Sequence, residues 1–194
     1  MNETILEPDL LIREALERGM LAEAEDAIRE LIAAEPEGHD GWLLQGVHDL
    51  LRGKFRGAVT AFERALQLGA RRREGQLGLG QAQLGTQAYE AGWITLRDLA
   101  AREPDDPEVL HWVLRAGLAL ERWGALADHL RDYLDRNPDD DAARFAFASV
   151  AYRRGELAEA REQHGMLRAK KAQLDGLDEL EALLEPETLA ASAA

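Results

Sequence analysis

The stretch W-L-L-Q-G-V-H-D-L, Trp42 to Leu50, followed by Gly53, Ala58, Phe62 and Ala65, decides the fold of this 194-residue chain. Trp42, Gly46, Val47 and Leu50 fall on apolar faces at helical spacing, which predicts a helix from about Gly41 to Leu51. A second helix begins near Arg56, where Ala58, Phe62, Ala65 and Leu66 follow i, i+4, i+7, i+8 spacing. Between them Arg52-Gly53 supplies the break, because glycine accepts the unusual dihedrals of a tight antiparallel turn. The small residues Gly46 and Ala58 let the helices approach, with Trp42 and Phe62 filling the space around the contact.

The same phrase recurs along the chain. Helix-stopping prolines stand at Pro36, Pro104 and Pro138, separated by twice 34 and once 34 residues. Gly19, Gly53 and Gly155 keep that period, each follows an arginine, and they open GMLAEA, GKFRGA and GELAEA. Further columns read Ala24, Ala58, Gly92, Leu126, Ala160 and Ile28, Phe62, Leu96, Leu130, His164. The frame divides the chain into five units, 5–38, 39–72, 73–106, 107–140 and 141–174, each a pair of helices around a short break. Residues 1–4 form an N-terminal tail. Leu174, Leu177, Leu180, Leu183 and Leu184 predict a capping helix over 175–185, since a repeat array needs a terminal element with a polar outer face. Residues 186–194 are expected to be disordered.

A 34-residue helical hairpin is the period of the tetratricopeptide repeat (TPR), and Trp42–Leu50 with Gly53, Ala58, Phe62 and Ala65 closely resembles that family's pattern. The resemblance covers about residues 5–174 and implies an all-α, right-handed superhelical solenoid of antiparallel helix pairs. Some positions depart from it. Pro8 stands in the Trp42 column, so the first helix is expected to start there. Unit three has Gln76 in the Trp42 column and Gln87 in the Gly53 column. Unit four has Leu114 and Leu126 where small residues are usual, which predicts helices spaced or angled differently.

The formal charge of −14 argues against a general nucleic-acid binder and against adhesion to an anionic membrane. There is no cysteine, which excludes disulfides and thiolate metal sites. No apolar run approaches the length of a membrane span, and MNETILEPDL has neither a basic nor an apolar signal region, so a cytoplasmic location is expected.

No reaction can be assigned to the residues, and the expectation is a protein that is not an enzyme and carries no cofactor. His39, His48, His111, His129 and His164 are scattered, with no metal-binding spacing. His164 reads as a hydrogen-bonded core histidine. Asp105-Asp106 and Asp139-Asp140-Asp141 precede helices, where carboxylates cap N-termini. GLGQAQLG (78–85) places its glycines on a helix, where close packing explains them. Arg71-Arg72-Arg73 reads as a solvated loop between repeats.

In TPR proteins the first helix of each unit lines a concave face. The resemblance therefore implies a partner-binding groove of Asp9 and Arg13 from unit one, Leu43, Val47 and Leu50 from unit two, and Leu77, Gln81 and Leu84 from unit three. Unit four adds His111, Arg115 and Leu118, and unit five adds Phe145, Ser149 and Tyr152. These columns hold no lysine or asparagine, unlike the clamp with which some TPR co-chaperones grip a C-terminal carboxylate. An apolar floor with a few polar handles suits an amphipathic helix or an extended apolar segment. The alternative for part of this lining is packing against neighbouring helices or the C-terminal cap. Trp123 reads as helix packing, Trp112 as reaching the next repeat or the groove rim, and Trp93 as a partly exposed aromatic marking a second contact surface. The expected function is an adaptor, chaperone or assembly factor that holds a segment of another protein. The competing reading is a structural subunit of a larger assembly that self-associates by solenoid stacking or through an aromatic patch near Trp93, with a homodimer among the expected assemblies.

Overall fold

The computed structural model describes residues 8–185, and among them every regular element is a helix. The N-terminal tail, the first residues of unit one and the segment 186–194 lie outside the described residues. The chain forms two compact units, Met1–Ala116 and Gly117–Ala194.

The first unit contains α1 (Pro8–Glu17), α2 (Leu21–Ala34), α3 (His39–Leu51), α4 (Phe55–Gln67), α5 (Arg72–Gly85) and α6 (Tyr89–Ala100), and most of α7 (Pro107–Ala119). Its core is built where side chains press on bare backbone. Phe62, fully buried on α4, fits between two glycines. A Cβ at Gly46 of α3 would lie 2.8 Å from its ring, and one at Gly78 of α5 only 2.3 Å away. That close approach explains the glycine richness of GLGQAQLG, which is helical throughout. Trp42 anchors the start of α3, its Nε1 donating to the Pro36 carbonyl at 3.1 Å.

Each tight turn follows one hydrogen-bond pattern. Lys54 N donates to the Asp49 carbonyl at 2.8 Å and Gly53 N to that of Leu50 at 3.0 Å, with Gly53 at φ +69°. Ala88 N and Gln87 N repeat these bonds to Gln83 and Leu84. The missing glycine therefore does not alter the turn. Gln87 enters the left-handed region itself, at φ +64°.

Of the basic run 71–73 only Arg71 lies in the exposed connection between repeats. α5 starts at Arg72, and Arg73 donates to Asp106 at 2.8 Å and to Glu108 at 3.0 Å. Asp106 in turn caps α7, accepting from the backbone N–H of Glu108 and Val109 at 2.9 and 3.2 Å, with Pro107 at the first helical position. Burial pushes the Asp106 carboxyl upward, but the hydrogen bonds from Arg73, Val109 and Glu108 outweigh it and hold the group below its ordinary value.

The second unit contains α8 (Trp123–Arg136), α9 (Asp141–Arg153), α10 (Leu157–Ala169) and α11 (Leu177–Leu184). Asp140 caps α9 through the Ala143 N–H at 2.9 Å, and the Tyr133 hydroxyl donates to the other Asp140 oxygen at 2.9 Å. Leu180 and Leu184 of α11 pack on Ala148, Ala151 and Ala160. The buried His164 places Nε2 3.2 Å from the Leu177 carbonyl, and Arg161 donates twice to the Leu184 carbonyl at the C-terminal end of α11. Arg168 pairs with Asp178 and Glu181 on the outer side of that helix.

Candidate partner-binding groove

In the first unit α1, α3, α5 and α7 contribute to a cleft of about 440 Å³. Its floor and walls include Leu43, Val47, Leu50 and Leu77, four of the residues taken from the family's groove columns. Leu43 and Leu77 are themselves buried, at 3% and 6% exposure, so they support the floor more than they offer surface. The accessible apolar contact comes from two residues that the column reading did not include, Leu51 at 56% exposure and Phe55 at 37%. Both flank the α3/α4 turn. The signal for them was an apolar residue on either side of Arg52-Gly53-Lys54, which a solvated turn does not require.

Polar groups frame this floor. Arg13 on α1 reaches Glu74 on α5 at 3.8 Å and Asp9 at 4.0 Å, an ion pair that bridges two helices past α3. Gln81 lines the cleft one turn beyond Leu77. A second, more polar hollow shares Arg13, Leu43 and Glu74 and adds Asp9, His39 and Asp40. Trp112 of α7 closes another side of the apolar cleft. Its ring meets His111 edge-on at 5.3 Å and lies under the Arg115 guanidinium at 4.8 Å, so the exposed His111 and Arg115 contact Trp112 and do not themselves line the cleft.

Other candidates are placed differently. Leu84 turns toward α6, where a Cβ at Gly92 would lie 2.9 Å away. In the second unit Phe145 and Tyr152 pack against the Leu180 and Leu184 cluster of α11, and the Ser149 hydroxyl donates to the Phe145 carbonyl at 2.9 Å. The capping helix thus covers the face these residues were expected to leave open. Leu118 belongs to the second unit and is exposed. Trp93 requires a correction. It is not a surface aromatic but one of the largest fully buried side chains, at 1% exposure, with Arg97 over its ring at 5.4 Å. Its helical neighbour Ile94 faces solvent instead, because successive residues turn by about 100°. Trp123 begins α8 and is half-buried.

Among the described residues no group of three or more histidine, aspartate or glutamate side chains is arranged to hold a metal ion. No described helix is long and apolar enough to cross a membrane.

Comparison with known proteins agrees with this architecture. MamA (residues 41 to the end) from Desulfovibrio magneticus RS-1 superposes with a TM-score of 0.72 at 18% identity, covering 87% of this chain and 98% of that one. The Pseudomonas aeruginosa pilF protein gives 0.73 at 17% identity, covering 96% and 86%. YrrB, described as a TPR protein with an unusual peptide-binding site, gives 0.70 at 12% identity, covering 96% and 91%. At these identities the likeness concerns the fold. No match is found among curated protein sequences. The tetratricopeptide-repeat sequence model matches residues 50–107 and 118–165, just over half of the chain, and this protein belongs to the tetratricopeptide-repeat family.

Proposed function

We propose that this protein is a non-catalytic adaptor or assembly factor that holds a short amphipathic or apolar segment of another protein in the cleft of its first unit. The observation that carries the reading is the exposed pair Leu51 and Phe55 set beside a buried leucine floor. Apolar side chains this exposed and contiguous with a concave surface gain most from being covered by a partner. Burying one such side chain contributes about 1.5–3 kcal/mol, so the two anchors supply about 3–6 kcal/mol, and a micromolar contact, about 8 kcal/mol, needs further apolar and polar contacts along the cleft. Arg13, Glu74 and Gln81 supply the directional contacts that fix register. The family supports protein binding in general, and the peptide-binding site described for YrrB is a precedent in the same fold. The adaptor role and a cytoplasmic setting are part of this proposal.

The test uses peptides selected on the purified chain from a random helical library, then measured by fluorescence anisotropy. Leu43→Glu and Leu77→Glu are poor probes because they bury a charge in the core. Leu51→Glu/Gln81→Glu changes the cleft surface and leaves the core intact. Selected peptides are expected to lose at least about tenfold in affinity for this variant, or about 1.4 kcal/mol. Equal affinity for both proteins would remove the cleft from consideration.

A further inference from the structure

The α1/α2 hairpin turns one side toward α3. Ile32 lies against Gly41, where a Cβ would come within 2.8 Å, and Glu25 reaches the buried His48 at 3.9 Å. The opposite side, to which helical periodicity turns Ala27, Glu30 and Ala34, holds a cleft of about 490 Å³. Leu11, Ile12, Ala15 and Leu31 also line it, and Leu11 is 50% exposed.

The corresponding side of another hairpin is bordered by a helix. Four periods on, Leu11, Glu23, Ala27 and Glu30 become Phe147, Glu159, Gln163 and Met166 of α9 and α10. Those residues share a hollow with Arg131 and Leu134 of α8, and the Arg131 guanidinium lies 5.4 Å above the Phe147 ring. There α8 borders the surface, with Arg131 over Phe147 and a hollow left alongside α10. On α1/α2 the same side carries an apolar floor of Leu11, Ile12, Ala15, Ala27 and Leu31, with Leu11 half exposed.

Charge chooses the occupant. Glu23, Glu30 and Glu35 rim the cleft, and among the described residues no lysine or arginine lines it. A second copy of the chain would set glutamates against glutamates, which disfavours that pairing. The residues before Pro8, MNETILE, carry two glutamates and no basic side chain. We propose that the outer face of the α1/α2 hairpin is a second docking surface, which takes a basic amphipathic helix of a partner protein. That helix places its leucines over Leu11, Ala27 and Leu31 and arginine or lysine beside Glu23 and Glu30, much as Arg131 of α8 and Glu159 line one hollow in the second unit. α2 has 14 residues, so a guest of three to four turns, roughly 20 Å long, matches its length.

The probe is a fluorescein-labelled 16-residue helical peptide with one leucine stripe flanked by arginines, compared with a twin in which every arginine is glutamate. Anisotropy is read against the full chain, against Leu11→Glu/Ala27→Glu, against Glu23→Gln/Glu30→Gln, and against the groove variant Leu51→Glu/Gln81→Glu. The arginine peptide is expected to bind the full chain and the groove variant alike. It should bind Leu11→Glu/Ala27→Glu at least about tenfold more weakly, and Glu23→Gln/Glu30→Gln about three- to tenfold more weakly, with steep weakening as salt rises. The glutamate pair is exposed, so that arm stands even where Leu11→Glu/Ala27→Glu perturbs folding by circular dichroism. Equal binding by the acidic twin, no binding, or loss confined to the groove variant would overturn the proposal. So would a concentration-dependent dimer in sedimentation velocity that Leu11→Glu/Ala27→Glu abolishes, since it gives the face to a second copy.

Discussion

Replacing Gln87 and Glu121 by glycine should stabilise the protein, although neither change adds a contact. The inter-helix turns at 19, 53, 87, 121 and 155 share one column, and all five residues have positive φ, from +52° to +77°. Three are glycine. Gln87 at +64° and Glu121 at +52° are not, and among the described residues neither side chain makes a hydrogen bond or ion pair. A residue with a Cβ loses about 1–2 kcal/mol in this region. Glycine removes that strain but loosens the unfolded chain by about 0.4–1 kcal/mol. The net gain is about 0.5–1 kcal/mol at each site. The sites lie in different compact units, so their effects should add, to about 1–2 kcal/mol. For a chain of this size that raises the thermal midpoint by about 2–8 °C. Repeat arrays can unfold in segments, so urea titrations should be followed by both circular dichroism and tryptophan fluorescence. Gly53→Ala is the mirror experiment. Nothing lies within 4 Å of its added Cβ, so a loss of about 0.5–1 kcal/mol would report dihedral strain net of the unfolded-chain entropy, with no steric clash involved. A neutral Gly53→Ala, or a Gln87→Gly that lowers the midpoint, would refute the account.

Two further outcomes follow from the packing and the caps. Gly78→Ala and Gly165→Ala are the same change on two helices with opposite expected signs. The first forces a Cβ to 2.3 Å from the buried Phe62 ring and should cost about 1–3 kcal/mol, whereas the second meets open space and should gain up to about 1 kcal/mol of helix propensity, both read from chemical denaturation midpoints. The Asp106 carboxylate is held below its unfolded value of 3.8, so its contribution is complete above that pH and is lost as pH falls through the lower folded value. Asp106→Ala should therefore destabilise by about 1 kcal/mol at neutral pH through loss of the α7 cap, and the gap to wild type should narrow below about pH 4; a gap that stays constant down to pH 2 would count against the Arg73–Asp106 pair.

The fold class was legible because a repeat writes the same constraint several times. One glycine in a turn means little, but Gly19, Gly53 and Gly155 in one register with Ala24, Ala58 and Ala160 define a hairpin. Helix bounds were readable to a residue or two, as with α3, which begins at His39 against an expected start near Gly41. The site was less legible, for three physical reasons. A column fixes which face of a helix a residue lies on, but not whether another element covers that face, and so Phe145 and Tyr152 were placed in a groove that α11 fills. A column also says nothing of residues beside a turn, and so Leu51 and Phe55 escaped notice. Finally, a tryptophan's exposure depends on a few tens of degrees around the helix. Trp93 and Ile94 are adjacent in sequence, yet one is core and the other surface.

The covered face in the second unit indicates what an open face of the same kind would accept. α11 is eight residues long, presents Leu177, Leu180 and Leu184 at i, i+3, i+7 to the core, and turns Asp178, Glu179 and Glu181 outward. Its C-terminal carbonyl at Leu184 is held by Arg161, and its outer acids by Arg168. An isolated helix of this length is not stable in water, so its order derives from the leucine contacts and the arginine anchors. The cleft of the first unit has the same ingredients without the helix: a leucine floor, Leu51 and Phe55 exposed beside it, and Arg13 at one side. A guest as short as two to three turns, with leucine-like side chains at that spacing and a carboxylate or helix C-terminus directed toward Arg13, would reproduce the arrangement the chain already uses on itself. Arg13 is weakly held by Glu74 at 3.8 Å, and a half-exposed pair of that kind contributes no more than about 1 kcal/mol. Exchanging Glu74 for a guest's carboxylate therefore costs little, which makes Arg13→Ala a variant that should weaken acidic guests while leaving the fold's stability nearly unchanged.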